Sequence, residues 1–312
     1  HWALPTFSLC YYGTEPPGGH RHKAKWDILL QQIREGWSGQ QGFEGEEHLE
    51  DFHHHELTES GEDDGHFDLI ETTVSHLFRE PNDTLNGLTY GRLLMKQLRK
   101  LGWFTPKPRV IVEVGGGLGY LARELGKELL PFEKQTIQYI SLDITEPFLR
   151  LQVTRAKAGG WSGIGTRANG EWLPFKDHSV DLVIDNENMA DMTPVKLTKQ
   201  ELLDGIGATP QHQEALDWIR RVRLPVGKDL PEDVIFNLGP FRFVAELWRV
   251  LKPGGRAFLT EFGIEEGWPA PVKLPGHTEY EVQYSHLRQA TRWLGFQERY
   301  LSLPQFLTIK PD

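Results

Sequence analysis

The chain has 312 residues, with 34 lysines and arginines against 44 aspartates and glutamates and a formal charge of −10. That balance excludes a protein whose whole surface tracks a phosphate backbone, because such binding rests on cationic side chains, so no nucleic-acid partner is expected. Hydrophobic residues make up 38% of the chain and aromatic residues 11%, enough for a sizeable core, which excludes general disorder.

A single cysteine, Cys10, allows neither an intramolecular disulfide nor a cysteine-held zinc. No apolar run reaches the roughly 18–20 residues that cross a bilayer, so the expectation is a cytoplasmic chain without a membrane partner. The sequence opens on His1 rather than Met, which leaves open that it is a fragment.

Residues 1–65 differ in composition from the rest: Pro16, Pro17, Gly18 and Gly19 precede a Gly/Gln stretch, and residues 44–66 are acidic and carry His48, His53, His54, His55 and His66. Adjacent histidines point in different directions, so this run reads as a solvated acidic linker and no metal site is expected. Leu69, Ile70, Val74, Leu77 and Phe78 recur at helical spacing, and so do Leu88, Leu93, Leu94, Leu98 and Leu101. Together, residues 1–84 form a partly irregular, then helical, N-terminal extension to a domain over 85–312.

Beyond Pro106 and Pro108 the pattern alternates between strand and helix. Val110–Val114 reads as a buried parallel strand, Leu118–Leu130 as a helix, Ile137–Leu142 as a strand and Pro147–Ala158 as a helix. Ile164–Arg167 and Val180–Ile184 follow as strands, Phe243–Leu251 as a helix and Ala257–Phe262 as a strand. A helix over Ser285–Leu294 then leads to two strands, Gln297–Leu301 and Phe306–Ile309. The alternation implies an α/β fold with a doubly wound, mostly parallel sheet. It is interrupted between Ile184 and Phe243 by a stretch too long for a simple connection. This insert contains a helix over Gln213–Arg223, whose Arg220, Arg221 and Arg223 read as a solvated face.

The segment Val110-Ile-Val-Glu-Val-Gly-Gly-Gly-Leu-Gly-Tyr120 ends a buried strand on Glu113 and turns through glycines at 115, 117 and 119 into a helix. Such glycines let a backbone come close to a ligand. A dinucleotide fingerprint starting at Gly115 would need glycine where Tyr120 stands, and a phosphate-binding G-K-[ST] is absent. Asp143 ends the second strand, where a carboxylate can accept both hydroxyls of a ribose.

Here the sequence resembles the class I S-adenosylmethionine-dependent methyltransferases, whose first motif has the form E/D-x-G-x-G-x-G. The resemblance continues in order through Asp143, through Asn169-Gly-Glu-Trp-Leu-Pro-Phe175, through Val180-Asp-Leu-Val-Ile-Asp-Asn186, and through Leu247-Trp-Arg-Val-Leu-Lys-Pro-Gly-Gly255. It implies a Rossmann-like, seven-stranded sheet whose last strands are antiparallel, with the insert at 193–242, between strands 4 and 5, as a substrate cover. It also implies S-adenosyl-L-methionine as cofactor, with the methionine part against Glu113, Gly115 and Gly117 and the ribose on Asp143. The adenine would face Asn169, where the family usually has Asp, and the Gly170 backbone; Gly119, Ile144 and Asp185 complete the set. Glu171, next in line, reads as solvated.

Glu187 and Asp191 follow the fourth strand, on the side where ligands of open α/β sheets bind. They are the candidates to orient or deprotonate a nucleophile, with helix capping as the competing reading. Asn186-Glu187, Asp191-Met-Thr-Pro-Val195, Glu261-Phe-Gly263, Gly276-His-Thr-Glu-Tyr-Glu-Val-Gln-Tyr-Ser-His-Leu287 and Leu303-Pro-Gln-Phe-Leu307 are also similar to the MidA-type family, which includes protein arginine methyltransferases. The expected activity is therefore methyl transfer to an N or O nucleophile of a small molecule or a protein side chain. The alternatives are a non-catalytic cofactor-binding scaffold or assembly factor and an NAD(P) oxidoreductase. Neither the acceptor nor an oligomeric state can be read from the residues.

Overall fold

The computed structural model describes residues 6–11, 74–104, 109–227, 230–273 and 277–308. The histidine-rich run at 44–66 lies outside them, as does the first part of the helix expected from Phe67. The strands are β1 (Thr6–Tyr11), β2 (Arg109–Val114), β3 (Ile137–Asp143), β4 (Ile164–Arg167), β5 (Val180–Asn186), β6 (Val195–Thr198), β7 (Asp233–Phe236), β8 (Leu251–Glu261), β9 (Gly263–Ile264), β10 (Pro271–Lys273), β11 (Thr278–Tyr280), β12 (Val282–Gln283) and β13 (Gln297–Ser302). The architecture is α/β around a mostly parallel sheet. Its centre is the five parallel strands β4-β3-β2-β5-β8, and β1 extends it by pairing in parallel with both β8 and β13.

Near-continuous apolar runs in β2, β3 and β5 follow from burial on both faces, and period-2 alternation divides their side chains between two cores. Val112, Val114, Val183, Ala257 and Leu259 pack with Phe243, Leu247 and Leu287 on one side. Ile111, Tyr139, Leu182, Ile184 and Phe258 pack with Leu94, Leu98, Leu121 and Phe306 on the other. Val74 and Phe78 belong to this second core, so the end of the N-terminal extension is built into the sheet domain.

From β2 the chain moves outward through β3 and β4, then returns to the far side of β2 with β5 and β8. The strand order therefore reverses between β2 and β5, and the crossovers on either side of that point diverge and leave a crevice at the carboxyl ends of the strands.

Several elements differ from the sequence expectations. The helix expected over 118–130 runs only over Tyr120–Lys127, and a further helix, Pro131–Thr136, follows it, with Pro131 at its start, where proline is well suited. The strand expected from Phe306 is not formed over its described residues. Leu303–Thr308 is helical, and Ser302 and Gln305 bond reciprocally across its start, Gln305 N donating to Ser302 Oγ at 3.4 Å and Ser302 N to Gln305 Oε1 at 3.0 Å. The antiparallel closing strands are consequently not formed among the described residues, and every pairing in the large sheet is parallel.

Thr6–Tyr11, in the stretch given no regular structure, is a strand. Between β5 and the helix Leu238–Val250 lie helices Lys199–Asp204 and Pro210–Val222 and the antiparallel pair β6–β7. Their buried residues, among them Leu197, Leu216, Trp218 and Phe236, continue the first core rather than form a separate one.

Candidate functional site

The crevice at the switch point is a cavity of about 530 Å³. Five separate stretches of sequence reach it: Glu113–Gly117 after β2, Leu142–Ile144 after β3, Ala168–Glu171 after β4, Asn186–Asn188 after β5, and Asp191–Pro194 at the start of the insert. Ser75, Leu121, Phe148 and Tyr280 complete the wall. Of the stretch 193–242, only Thr193 and Pro194 line it; the helices of the insert lie elsewhere.

Glu113 is almost fully buried. Its Oε2 accepts a 2.8 Å hydrogen bond from the Tyr139 hydroxyl of β3, whose ring stacks on Trp161 with 4.4 Å between centroids. The other oxygen, Oε1, is buried without a hydrogen-bond partner. Asp185, fully buried in the adjacent strand, accepts a bond from Asn188 Nδ2 at 2.7 Å through Oδ1, and its Oδ2 has no partner.

Burial pushes the Glu113 carboxyl up to about 7, with the Tyr139 hydrogen bond opposing and the charge of Asp143 adding to the rise. Burial also raises Asp185 to about 7, opposed by Asn188 and assisted by Glu113. Two acids with orphaned oxygens therefore lie under the glycine turn, where a cation would relieve both burial and repulsion.

The turn takes its path because Gly115, Gly117 and Gly119 have φ of 60°, 49° and 80°. A Cβ on Gly115 would stand 2.3 Å from Asn188 Oδ1, so the turn touches the loop after β5 directly. Gly119 does not line the cavity: it caps the helix Tyr120–Lys127, and a Cβ there would stand 2.7 Å from the Gln152 Cα of the helix Glu146–Gly159. Asp185 does not line it either and acts on the wall through Asn188. Tyr120, the residue that departs from a dinucleotide fingerprint, is buried with the guanidinium groups of Arg79, Arg123 and Arg155 over its ring.

Asp143 ends β3 pointing into the cavity, held by Gln152 Nε2 at 2.7 Å and the Thr145 N–H at 3.1 Å. Gln152 also donates to the Gly117 carbonyl at 2.9 Å, so one side chain ties the acid to the glycine turn. Asn169 Oδ1 accepts from the Glu171 N–H at 2.8 Å, which shapes its own turn.

Glu171 corrects the sequence expectation of a solvated side chain. It is 2% exposed, accepts from Thr193 N at 2.8 Å and Thr193 Oγ1 at 2.6 Å, and pairs with Arg242 at 2.9 Å. A second carboxylate, Glu214, bonds the same guanidinium, and the two raise its pKa.

The two candidate catalytic acids have different surroundings. Glu187 has φ of 57°, unusual for a residue with a Cβ. Its carboxylate receives the Val74 N–H at 3.0 and 2.9 Å, at the start of the helix Val74–Leu77, and Asn186 Nδ2 at 3.3 Å. It caps a helix that precedes it by more than a hundred residues, not the one that follows. Asp191 ends a single 3₁₀ turn, Met189–Asp191, held by the buried Glu261, whose Oε2 accepts from the Ala190 N–H at 3.0 Å.

Beside Asp191 stand His277 and Glu279, which sequence reasoning did not single out as site residues. Their one signal was the alternation Gly276-His-Thr-Glu, which puts both side chains on one face of an extended segment. Tyr139, Gln152 and Asn188, which hold Glu113, Asp143 and Asp185, had no sequence signal.

No family model matches the chain and no curated protein matches it. Solved structures do. The chain is similar to the [4+2]-cyclase SpnF at 18% identity, with 66% of this chain and 57% of the cyclase covered and a TM-score of 0.41. It is similar to a SAM-dependent methyltransferase from Aquifex aeolicus at 16% identity, with 66% and 82% covered and a TM-score of 0.36. A Haemonchus contortus phosphoethanolamine N-methyltransferase 2, solved with S-adenosylhomocysteine, gives 14% identity, 70% and 35% covered and a TM-score of 0.34. The chain thus spans little more than half the length of the cyclase, and likenesses of this degree carry no statement about activity. The similarity to the MidA-type family finds no support among them. Methyltransferases dependent on S-adenosylmethionine recur among the structural neighbours.

Proposed function

We propose that the cavity binds S-adenosyl-L-methionine and that the chain transfers its methyl group to an N or O nucleophile of a small molecule or a protein side chain. The observation that carries this reading is convergence. Glu113, Gly115, Gly117, Asp143, Ile144, Asn169, Gly170, Glu187 and Asp191 come from separate stretches of sequence and line one cavity.

The residues fit the cofactor chemically. The unpartnered Glu113 Oε1 suits an α-ammonium group, and the left-handed glycine turn suits close approach of the methionine backbone. Asp143 would accept the ribose hydroxyls, prevented from turning away by Gln152 and Thr145. Asn169 and the Gly170 backbone would face the adenine; Gly170 is confined to glycine by packing, since a Cβ there would stand 2.9 Å from Val114 Cγ1. When bound, S-adenosylmethionine supplies a methyl group on a sulfonium that leaves as a neutral thioether.

The chain then contributes orientation and exclusion of water. Glu187 accepts the Val74 N–H and would act as a fixed wall, whereas Asp191 would touch the acceptor and orient it.

Calorimetric titration with S-adenosylhomocysteine, with NADH as control, tests the reading. Micromolar binding of the former alone is expected, and binding of NADH alone would overturn it. In the same titration Asp143→Ala should weaken binding about tenfold to hundredfold, the worth of charge-assisted hydrogen bonds of about 1.5–3 kcal/mol.

A further inference from the structure

We propose a divalent-cation site formed by Asp191, His277 and Glu279 beside the cavity, which only Asp191 of the three lines. One ligand atom from each residue lies within 4.8 Å of the others. The His277 side chain is 2% exposed, and its Nε2 stands 3.8 Å from Asp191 Oδ1 and 3.4 Å from Glu279 Oε1. Both distances exceed the 2.7–3.2 Å of an ordinary N–H···O hydrogen bond. Metal–ligand bonds of about 2.0–2.2 Å put neighbouring ligand atoms about 3.0–3.4 Å apart; the His277–Glu279 contact matches that spacing, and the His277–Asp191 contact is wider by a few tenths of an ångström.

The three residues are held by backbone already in place. His277 and Glu279 alternate on the segment leading into β11, so they share a face. Asp191 is fixed opposite by its 3₁₀ turn, which Glu261 anchors. Negative charge is dense here: burial raises the pKa of Glu261, and the charges of Glu279 and Glu187 add to the rise. One imidazole and two carboxylates suit first-row divalent cations such as Mn²⁺ and Zn²⁺, and three protein ligands leave coordination positions open. Because Asp191 itself lines the cavity, those positions face the side where an acceptor would enter. This last point alone rests on the methyltransferase reading; the cation site does not.

Manganese titration of the full chain, followed by the electron paramagnetic resonance of free Mn²⁺, tests the site. A His53→Asn/His54→Asn/His55→Asn variant is run in parallel, because those imidazoles compete for metal. One Mn²⁺ per chain is expected in both proteins, with affinity falling at least tenfold in Glu279→Gln and in His277→Asn. Glu279→Gln keeps shape and size, so it carries the test if His277→Asn does not fold. Absence of binding in the unmodified chain, its disappearance in the triple variant, or undiminished binding in Glu279→Gln would each overturn the proposal. Failure of the methyltransferase reading registers separately, as missing S-adenosylhomocysteine binding with the metal still bound.

Discussion

Glu113 and Asp185 are two carboxylic acids buried side by side in adjacent parallel strands, and each has an oxygen without a partner. Their pKa values are raised to about 7 from ordinary values of 4.5 and 3.8. A raised folded-state value means that the folded chain binds more protons than the unfolded chain across the interval. Their contribution to stability is therefore complete below about pH 4 and is lost as the pH rises through 7. Urea denaturation of the ligand-free chain between pH 4 and 8 should show this decline, and Glu113→Gln should reduce it, because the amide does not ionise. A cationic ligand that needs Glu113 ionised would release a proton on binding near pH 6.5, measurable as a dependence of the binding heat on the buffer.

The glycine turn and the β5 loop are the elements that make the cavity, and they constrain each other. Gly115→Ala incurs the left-handed backbone penalty, about 1–2 kcal/mol, and drives its new methyl into the Asn188 side chain. Gly119→Ala incurs the same penalty, but its methyl meets the backbone of the helix Glu146–Gly159. Adding Asn188→Ala should thus recover part of the loss in melting temperature caused by Gly115→Ala and none of that caused by Gly119→Ala. Equal recovery in both would show that the side chain of Asn188 is not the obstacle.

The same scale shows what the sequence disclosed. β2, β3 and β5 were legible because burial on both faces demands unbroken apolar runs. β1 was not, since Thr6–Tyr11 mixes polar and apolar residues and becomes a strand only by lying between β8 and β13. The helix Leu303–Thr308 was misread because Phe306 and Leu307 suit a strand, and the Ser302–Gln305 cap decides otherwise.

For the whole molecule, Arg242 joins parts that are remote in sequence. It pairs with Glu171 beside the cavity and with Glu214 in the insert, from the helix that leads into β8. The Arg242 and Glu171 side chains are 11% and 2% exposed, so removing one strands the other's charge in a dry site. Arg242→Met should cost about 3–5 kcal/mol in urea denaturation, the range for breaking a buried pair. It should also weaken S-adenosylhomocysteine binding by loosening Asn169–Glu171. Loss of stability below 1 kcal/mol would show that the Thr193 hydrogen bonds suffice to hold Glu171. Among the described residues no helix is long and apolar enough to cross a membrane.

Taken alone, the sequence determined the alternation of strands and helices, the glycine turn with Glu113 before it, and Asp143, the acid that ends β3. These are local matters, governed by burial period and by the few residues able to adopt a left-handed turn. The tertiary structure decided what each acid contacts. Glu187 is taken by a backbone N–H from far upstream, Glu171 is buried against an arginine from a later helix, and Asp191 gains His277 and Glu279 across the fold. Such pairings depend on contacts between residues remote in the chain, and the order of residues along one strand or helix does not encode them.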